Sequence, residues 1–466
     1  MTIPNSVPGL VAGAAVLLGL MLAISGGTLE PYALALVTLA GGAAFAAARF
    51  NLQGHPVFAT RLPVVILAFG ISVSLVHDVL FLPGVLVNPA RLGGFRPGIG
   101  AIALVLATYF WKSAPAWIAR VRFPVIVVIA TGLGAIVLYA SPTPGIDVWH
   151  LQQEGALVLL KGENPYGTLY PNIYGPGTPL IDPSLLSPDG RYVITYPYMP
   201  LTLLLGAPVA WLGDVRWLML AAVMFSAILI RKLGHSSLEA ELAGVFFLMQ
   251  PQGFMVLELA WTEPVALAAI LLTVVVVAHA QSERTKEGND LGWNWLHAGL
   301  AGAIAASSKQ YAPLLILPLL FALPFRARIK ATAVAVCGTF IILLPFLLWD
   351  PSAFLRGTIE FQLRQPFRPD ALSWLAAIVA LGGPPLPSWP AFLLMGISLA
   401  MTLRRMISLR QGVLVSATSW IVFVAFNKQA FCNYYWLATG LLCTTVALFP
   451  QMLYGCVEAE NLILGA

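Results

Sequence analysis

The stretch Gly145-Ile146-Asp147-Val148-Trp149-His150, which runs on to Gly162-Glu163-Asn164-Pro165-Tyr166, predicts a short helix directly after an apolar segment. Asp147 is the expected N-cap, because its carboxylate can accept hydrogen bonds from the free amide groups of the first turn. Gly162 is the expected stop, and the following Asn-Pro pair prevents continuation. The helix mixes apolar side chains with the polar Gln152, Gln153, Glu154 and Lys161. We therefore predict an amphipathic helix at a membrane surface, with a carboxylate at one end.

Composition places this helix in an integral membrane protein. Of the 466 residues, 59% are hydrophobic and only 10% are charged, and the mean hydropathy is +0.85. Soluble domains carry about a quarter charged residues. Repeated apolar segments near span length predict helices, since a barrel would alternate apolar and polar residues. The net charge of +5 lies mostly in short loops. The positions of these charges indicate how the protein is oriented in a cell membrane, and we expect no nucleic-acid partner.

The predicted fold is all-α and polytopic, with roughly 12 to 15 transmembrane helices of about 20 residues each. An outer amphipathic juxtamembrane helix follows Asp147. We divide the chain into an N-terminal four-span module (1–122), a core that includes an outer loop at 142–195 (123–349), and a C-terminal group of spans (350–466). The last group contains a second amphipathic segment at 352–366.

Basic residues set the expected orientation. Arg49, Arg61 and the cluster Lys112–Arg122 belong in the cytoplasm, which puts Asp147 on the extracytoplasmic side. Arg231 also looks cytoplasmic. Two full spans between Tyr196 and Arg231 would place it outside. Either one of those segments is re-entrant, or the charge rule fails locally.

Ionisable residues at membrane depth are costly, so each is a functional candidate. The inferred topology brings the following to one face: Asp147, His150, Glu154, Glu258, Glu263, Lys309, Arg356, Arg364, Arg368 and Lys428. Carboxylates beside cations suit a reaction that deprotonates a hydroxyl and stabilises a phosphate leaving group. No His, Cys, Asp or Glu spacing predicts a metal site, and no cofactor is expected. A divalent ion that bridges Asp147 or Glu263 to phosphate is an alternative that the spacing does not support.

These residues resemble those of GT-C glycosyltransferases, in particular the bacterial polyprenyl-phosphate-mannose-dependent mannosyltransferases. In that family an Asp in a Gly-x-Asp setting after a span is the proposed base, as Asp147 would be here. A Gly-x-Asn-Pro-Tyr sequence, matching Gly162–Tyr166, ends the next helix. Weaker similarities are seen at 195–200, at 308–313 and at 427–435. The family usually has one span before the catalytic loop, so the four-span module would be an addition.

The resemblance implies transfer of mannose, or another hexose or a pentose, from a polyprenyl-phosphate donor to a lipid, glycan or protein acceptor. Asp147 would deprotonate the acceptor hydroxyl in a single inverting displacement. The expected acceptor-binding residues are His150, Glu154, Tyr196 and Glu263. The expected donor-phosphate residues are Lys309, Arg356, Arg364, Arg368 and Lys428. An N-cap carboxylate should have a lowered pKa, so Asp147 would stay ionised.

Simpler roles compete with these assignments. Asp147 could serve only as a cap, Lys309 could snorkel, and the arginines could contact anionic headgroups. Glu154 could be solvated and Tyr196 could pack structurally. The rival function is a transporter or flippase of a lipid-linked sugar, which the short basic inner connections disfavour. A third alternative is a non-catalytic assembly subunit, in which Asp147 would be dispensable.

Overall fold

The structure is a computed structural model that describes residues 7–51, 61–175, 177–178, 180–192, 196–287, 293–403 and 408–449, without the side chains of 50, 51 and 283–287. This part of the chain is helical. Before the loop at 142–195 come α1 (Val7–Ser25), α2 (Pro31–Asn51), α3 (Leu62–Leu80), α4 (Phe95–Ala107) and α5 (Ala116–Ala140). Within the loop lies α6 (Asp147–Leu160).

Fourteen further helices follow. They are α7 (Pro200–Trp211), α8 (Arg216–Leu233), α9 (Leu238–Met249), α10 (Gly253–Glu258), α11 (Glu263–Glu287), α12 (Asn294–Ala306), α13 (Ala312–Phe321), α14 (Phe325–Trp349), α15 (Pro351–Leu355), α16 (Phe361–Arg364), α17 (Trp374–Ala380), α18 (Trp389–Leu403), α19 (Leu409–Ala425) and α20 (Cys432–Ala447). A π-helical turn, Arg356–Glu360, joins α15 to α16. The predicted amphipathic segment at 352–366 is therefore helical over most of its length.

The expectation of a helical, multi-pass membrane protein is confirmed. Within the described residues, six helices are long and apolar enough to cross a membrane: Val7–Ser25, Pro31–Arg49, Leu62–Leu80, Ala116–Ala140, Glu263–Ser282 and Phe325–Trp349. The apolar helices α4, α13, α18 and α19 are shorter. The range of 12 to 15 spans stays a prediction.

The helical bundle has two ends, which differ in their charged side chains. At one end the Glu241 carboxylate bridges two arginines, with 3.0 Å to Arg122 Nε and 2.9 Å to Arg231 Nε. Asp147 lies at the other end, because α5 runs from Arg122 towards it. Since α8 runs back to Arg231, Arg122 and Arg231 share one end, as their charge predicts.

The bend between α7 and α8 bears on whether two full spans separate Tyr196 from Arg231. The two helices meet at 117°. The first begins where Leu201 N donates to Ser307 O at 3.1 Å, and it ends beside α6, where Gln153 Nε2 donates to Gly213 O at 2.9 Å. Both ends of α7 therefore lie near residues of the Asp147 end, which favours the alternative with one re-entrant segment. The orientation of these helices in a membrane stays a prediction.

The N-terminal helices pack against the C-terminal ones. Leu29 N donates to Asp370 O at 2.9 Å, and Trp374 Nε1 donates to Thr38 Oγ1 at 3.2 Å. Gly27 has a φ of +88°, and its backbone leaves no space for a Cβ beside Cys432. Glycine is thus required for this close approach. The division at 122 and 349 stays a prediction, but the three segments share a common core.

Candidate active site

The helix that carries Asp147 starts one residue earlier than expected. Ile146 has extended backbone angles and is the N-cap, so Asp147 is the first helical residue and the N-cap assignment was wrong. Its Oδ1 still accepts from Val148 N at 2.8 Å. The predicted stop is confirmed. Gly162 has a φ of +78°, and Glu163 N donates back to Val158 O at 3.2 Å, which satisfies a free carbonyl of the last turn.

Buried polar side chains fix this helix to the protein. Gln152 Nε2 donates to Ala260 O at 2.6 Å, and Gln153 Oε1 accepts from Val215 N at 2.8 Å. Trp149 Nε1 donates to Asp214 Oδ1 at 3.3 Å. Both glutamines were counted among the polar residues of an amphipathic helix, and they can be buried because neighbouring backbone groups take their hydrogen bonds.

Arg216 is the centre of the network behind α6. Its side chain is fully buried, and its Nε donates to both carboxylate oxygens of Asp214 at 3.0 Å. Its Nη1 donates to Glu258 O at 3.1 Å. The Glu258 carboxylate in turn accepts from Val85 N at 2.8 Å and Leu86 N at 2.9 Å. Glu258 is therefore a structural link to the N-terminal helices and does not line the cavity.

Replacing Arg216 with Met should destabilise the protein by about 3 kcal/mol, since it leaves the carboxylate of Asp214 without its charged partner in a mostly buried position. Unfolding in a mixed detergent series measures the change. Arg191→Met is the matched control, because Arg191 forms an exposed pair with Asp189 and should unfold like the unmodified protein. Equal stability of the two variants would contradict this role of Arg216.

The Asp147 carboxylate is held by a tyrosine from the outer loop. Tyr174 OH donates to Asp147 Oδ1 at 3.0 Å and accepts from Asp147 N at 3.2 Å. Burial raises the pKa of Asp147 above its ordinary value, against the lowering effect of the Tyr174 hydrogen bond. The expected lowering of this pKa was therefore wrong, because desolvation of the charged form outweighs the hydrogen bonds at the helix start.

A cavity of about 480 Å³ opens beside Asp147. Lys309, Arg368 and Lys428 also line it, so the structure brings four of the predicted site residues together. Its neutral polar lining comes from Tyr174, Thr262, Gln310, Gln362, Asn427 and Asn433. Its apolar wall includes Leu314, Phe392, Trp420, Phe423 and Val424. The cavity thus combines charged groups with a large aromatic surface.

Lys309 lies in the break between α12 and α13 and is 8% exposed. Its Nζ donates to Glu263 Oε1 at 2.9 Å and also contacts Thr262 Oγ1. Tyr311 OH donates to the same Glu263 oxygen at 3.1 Å. Glu263 is fully buried behind the lysine, so it neutralises Lys309 and does not itself line the cavity.

The other two lining cations are held by the segment that follows α16. Arg368 pairs with Asp370 through Nε at 2.8 Å and Nη2 at 2.7 Å, and this pairing lowers the pKa of Asp370. Lys428 Nζ donates to Leu363 O at 3.0 Å and to Gln365 O. Partial burial lowers the pKa of Lys428. Both cations are therefore fixed in the lining of the cavity.

The remaining predicted site residues do not line the cavity. His150 and Glu154 lie one and two turns after Asp147 on α6, and His150 Nδ1 is 3.5 Å from Glu154 Oε1. Tyr196 is fully buried and packs edge-on against Tyr166 and Tyr198, while Thr195 lies outside the described residues. Arg356 bonds Ser352, and Arg364 pairs with Glu360 on an exposed surface.

Several lining residues were missed in the sequence. Tyr174 stands in a turn-rich loop, where aromatic residues carry no periodic signal. Gln310 Nε2 donates to Pro197 O at 2.9 Å and to Thr358 O at 3.1 Å, and Gln362 Nε2 donates to Pro197 O at 3.0 Å. The position of Gln310 next to Lys309 was the sequence feature that could have identified Gln310 as a lining residue. These bonds join the re-entry at Pro197 to the second amphipathic segment.

Within the described ranges, no group of three His, Cys, Asp or Glu side chains is placed to hold a metal ion. The polar groups that line the cavity are amides, hydroxyls, one carboxylate and three cations. This set suits an anionic ligand that carries hydroxyl groups. Searches against protein-family models, curated proteins and solved structures found no match to the chain.

Proposed function

We propose that the protein transfers a sugar from a polyprenyl-phosphate donor to a hydroxyl acceptor, with Asp147 as the general base. The observation that carries this proposal is the cavity, which one carboxylate, three cations and an aromatic wall line together. Such a cavity fits an amphiphile with an anionic head. A simple cap would need no cavity and no cations.

The aromatic wall supplies the place for the lipid part of the donor. Trp420 stacks on Phe423, with ring centroids 5.2 Å apart, and Phe392 meets Phe423 edge-on at 5.0 Å. Phe392 is 52% exposed on the outer surface of the helical bundle. An isoprenoid chain could therefore pass from the membrane along Phe392 while its phosphate stays near Lys428 and Arg368.

The proposed transfer step uses the Asp147 carboxylate and the cations that line the cavity. The acceptor hydroxyl gives its proton to Asp147 as its oxygen attacks the anomeric carbon, and the bond from that carbon to the phosphate oxygen breaks. The cations stabilise the departing phosphate. Arg368 can present a planar fork to it. A raised Asp147 pKa suits a base better than the lowered pKa that we expected, because the proton affinity increases.

The orientation and the number of spans form part of this proposal. Arg122 and Arg231 mark the cytoplasmic end by the positive-inside rule, so the Asp147 end would be extracytoplasmic in a cell membrane. The shorter apolar helices α4, α13, α18 and α19 would bring the number of crossings towards the predicted range. Polyprenyl-phosphate sugar, the acceptor and membrane lipids would be the partners, without a metal or other cofactor.

The test is transfer by the purified protein in vesicles that contain radiolabelled polyprenyl-phosphate mannose and a lipid acceptor fraction. Formation of a labelled acceptor product supports the proposal. Movement of the labelled donor across the bilayer without product would show the flippase instead. Absence of both with a range of hexose and pentose donors would contradict both functions.

The pH profile of transfer should have an acid limb above the ordinary Asp pKa of about 3.9. Burial raises the Asp147 pKa, and only the ionised carboxylate can accept the proton, so kcat/KM must fall as pH drops through that raised value. The same shift makes protonated Asp147 favour the folded state. Its stabilising contribution is complete below the unfolded pKa and is lost as pH rises through the folded one. Rates measured from pH 4 to 9 give the limb. A limb at or below the ordinary value would contradict the burial of the base.

A further inference from the structure

Tyr174 makes two hydrogen bonds to the residue that we propose as the base. Its hydroxyl donates to Asp147 Oδ1 and accepts from Asp147 N. Val148 N donates to the same Oδ1, so this oxygen already accepts two hydrogen bonds. No donor among the described residues reaches Oδ2. The two oxygens of one carboxylate are thus in different environments.

A tight turn of the outer loop fixes the position of Tyr174. Asn172 Oδ1 accepts from Tyr174 N at 3.0 Å, and Asn172 Nδ2 donates to Gly175 O at 2.9 Å. Gly175 has a φ of +77°, a conformation that favours glycine. The hydroxyl of Tyr174 is therefore presented by a loop that closes on itself, and it lines the cavity.

We propose that Tyr174 is a positioning residue that occupies Asp147 Oδ1 and leaves Oδ2 to take the proton. This inference rests on the proposed function. In the step, the acceptor O–H bond breaks and its proton goes to Oδ2. The acceptor oxygen bonds to the anomeric carbon, and the leaving lipid phosphate keeps the electron pair of the broken bond.

The electrostatic surroundings agree with this role. The Tyr174 hydrogen bond lowers the Asp147 pKa, in opposition to burial, so its loss should raise that pKa further. The other charged or titratable groups that act on Asp147 or Tyr174 are His150 on α6 and Arg368 after α16. Beyond the effect of burial, the charge of Asp147 in turn raises the pKa of Tyr192 and of Tyr198.

Tyr174→Phe tests the inference, with Tyr192→Phe as the matched control. Tyr192 lies in the same loop and is buried, but its hydroxyl has no hydrogen-bond partner among the described residues. We expect Tyr174→Phe to lower kcat about tenfold, from the loss of a hydrogen bond to a charged group. We also expect it to move the acid limb of kcat/KM to higher pH with an unchanged KM for the donor. Tyr192→Phe should match the unmodified protein. An unmoved acid limb in Tyr174→Phe would overturn the inference.

A readout without turnover separates this inference from the proposed function. Infrared titration can follow the Asp147 carboxyl band, identified by its absence in Asp147→Asn. A higher apparent pKa in Tyr174→Phe than in Tyr192→Phe supports the contact even if no sugar is transferred, in which case the proposed function fails alone. Identical titrations in the two variants overturn the contact. Transfer together with identical titrations would leave the proposed function intact.

Discussion

Asp147→Asn is expected to reduce sugar transfer by about 10²- to 10⁴-fold, the usual contribution of a positioned general base. Asn keeps the size of the side chain and its place at the start of α6, but its amide cannot accept the acceptor proton. Donor binding should change little, because the cations that line the cavity stay in place. Initial rates with labelled donor, together with direct donor binding, measure both effects.

Asp182→Asn is the matched control for this variant. Asp182 caps a short turn in the same outer loop, where its Oδ1 accepts from Ser184 N at 2.8 Å, and it does not line the cavity. Its loss should leave kcat unchanged. Normal transfer by a well-folded Asp147→Asn protein would reduce Asp147 to a structural residue and would favour the assembly-subunit or flippase alternatives.

Lys309→Met should lower stability by about 3–5 kcal/mol, because the buried Glu263 carboxylate would lose its partner. In the double variant Lys309→Met with Glu263→Gln, the charge is removed together with its partner. Most of the lost stability should return. Donor affinity should not return, since no cation then stands at this side of the cavity. Unfolding and donor binding, measured on the same three proteins, separate a structural lysine from a phosphate-binding one.

If the double variant recovers both stability and donor affinity, phosphate binding by Lys309 is contradicted. Lys309 would then only neutralise Glu263. A single variant that unfolds like the unmodified protein would instead show that the pair between Lys309 and Glu263 at 2.9 Å contributes little to stability.

The part of the site that could be predicted is the part marked by charge. Asp147, Lys309 and Lys428 each interrupt or follow an apolar segment, and the charge rule assigned them to one end. Their common cavity agrees with that assignment. Tyr174 and Gln362 carry no charge and stand in irregular or mixed segments, so neither hydropathy nor periodicity distinguishes them from ordinary loop residues.

The fold was predictable in class and less so in detail. Apolar length predicts helices, but it does not show that α7 lies along one end, because its 12 residues are as apolar as those of a crossing helix. His150 and Glu154 were assigned to the acceptor site but do not line the cavity, and their acceptor-binding role stays a prediction. Their neighbours Gln152 and Gln153 bond the backbone of other segments.

The packing of α1 against α20 bears on how the protein is made. Since α1 leaves the ribosome long before α20, the small buried residues of α1, such as Ala12 and Ala15, are made long before this contact can form. Small residues at helix contacts permit close packing, but they give no stabilising contact to a helix whose partner is not yet present. Membrane insertion and final assembly are therefore separate stages. A chain that stops before α20 should insert normally and yet be recognised by quality-control proteases as incomplete.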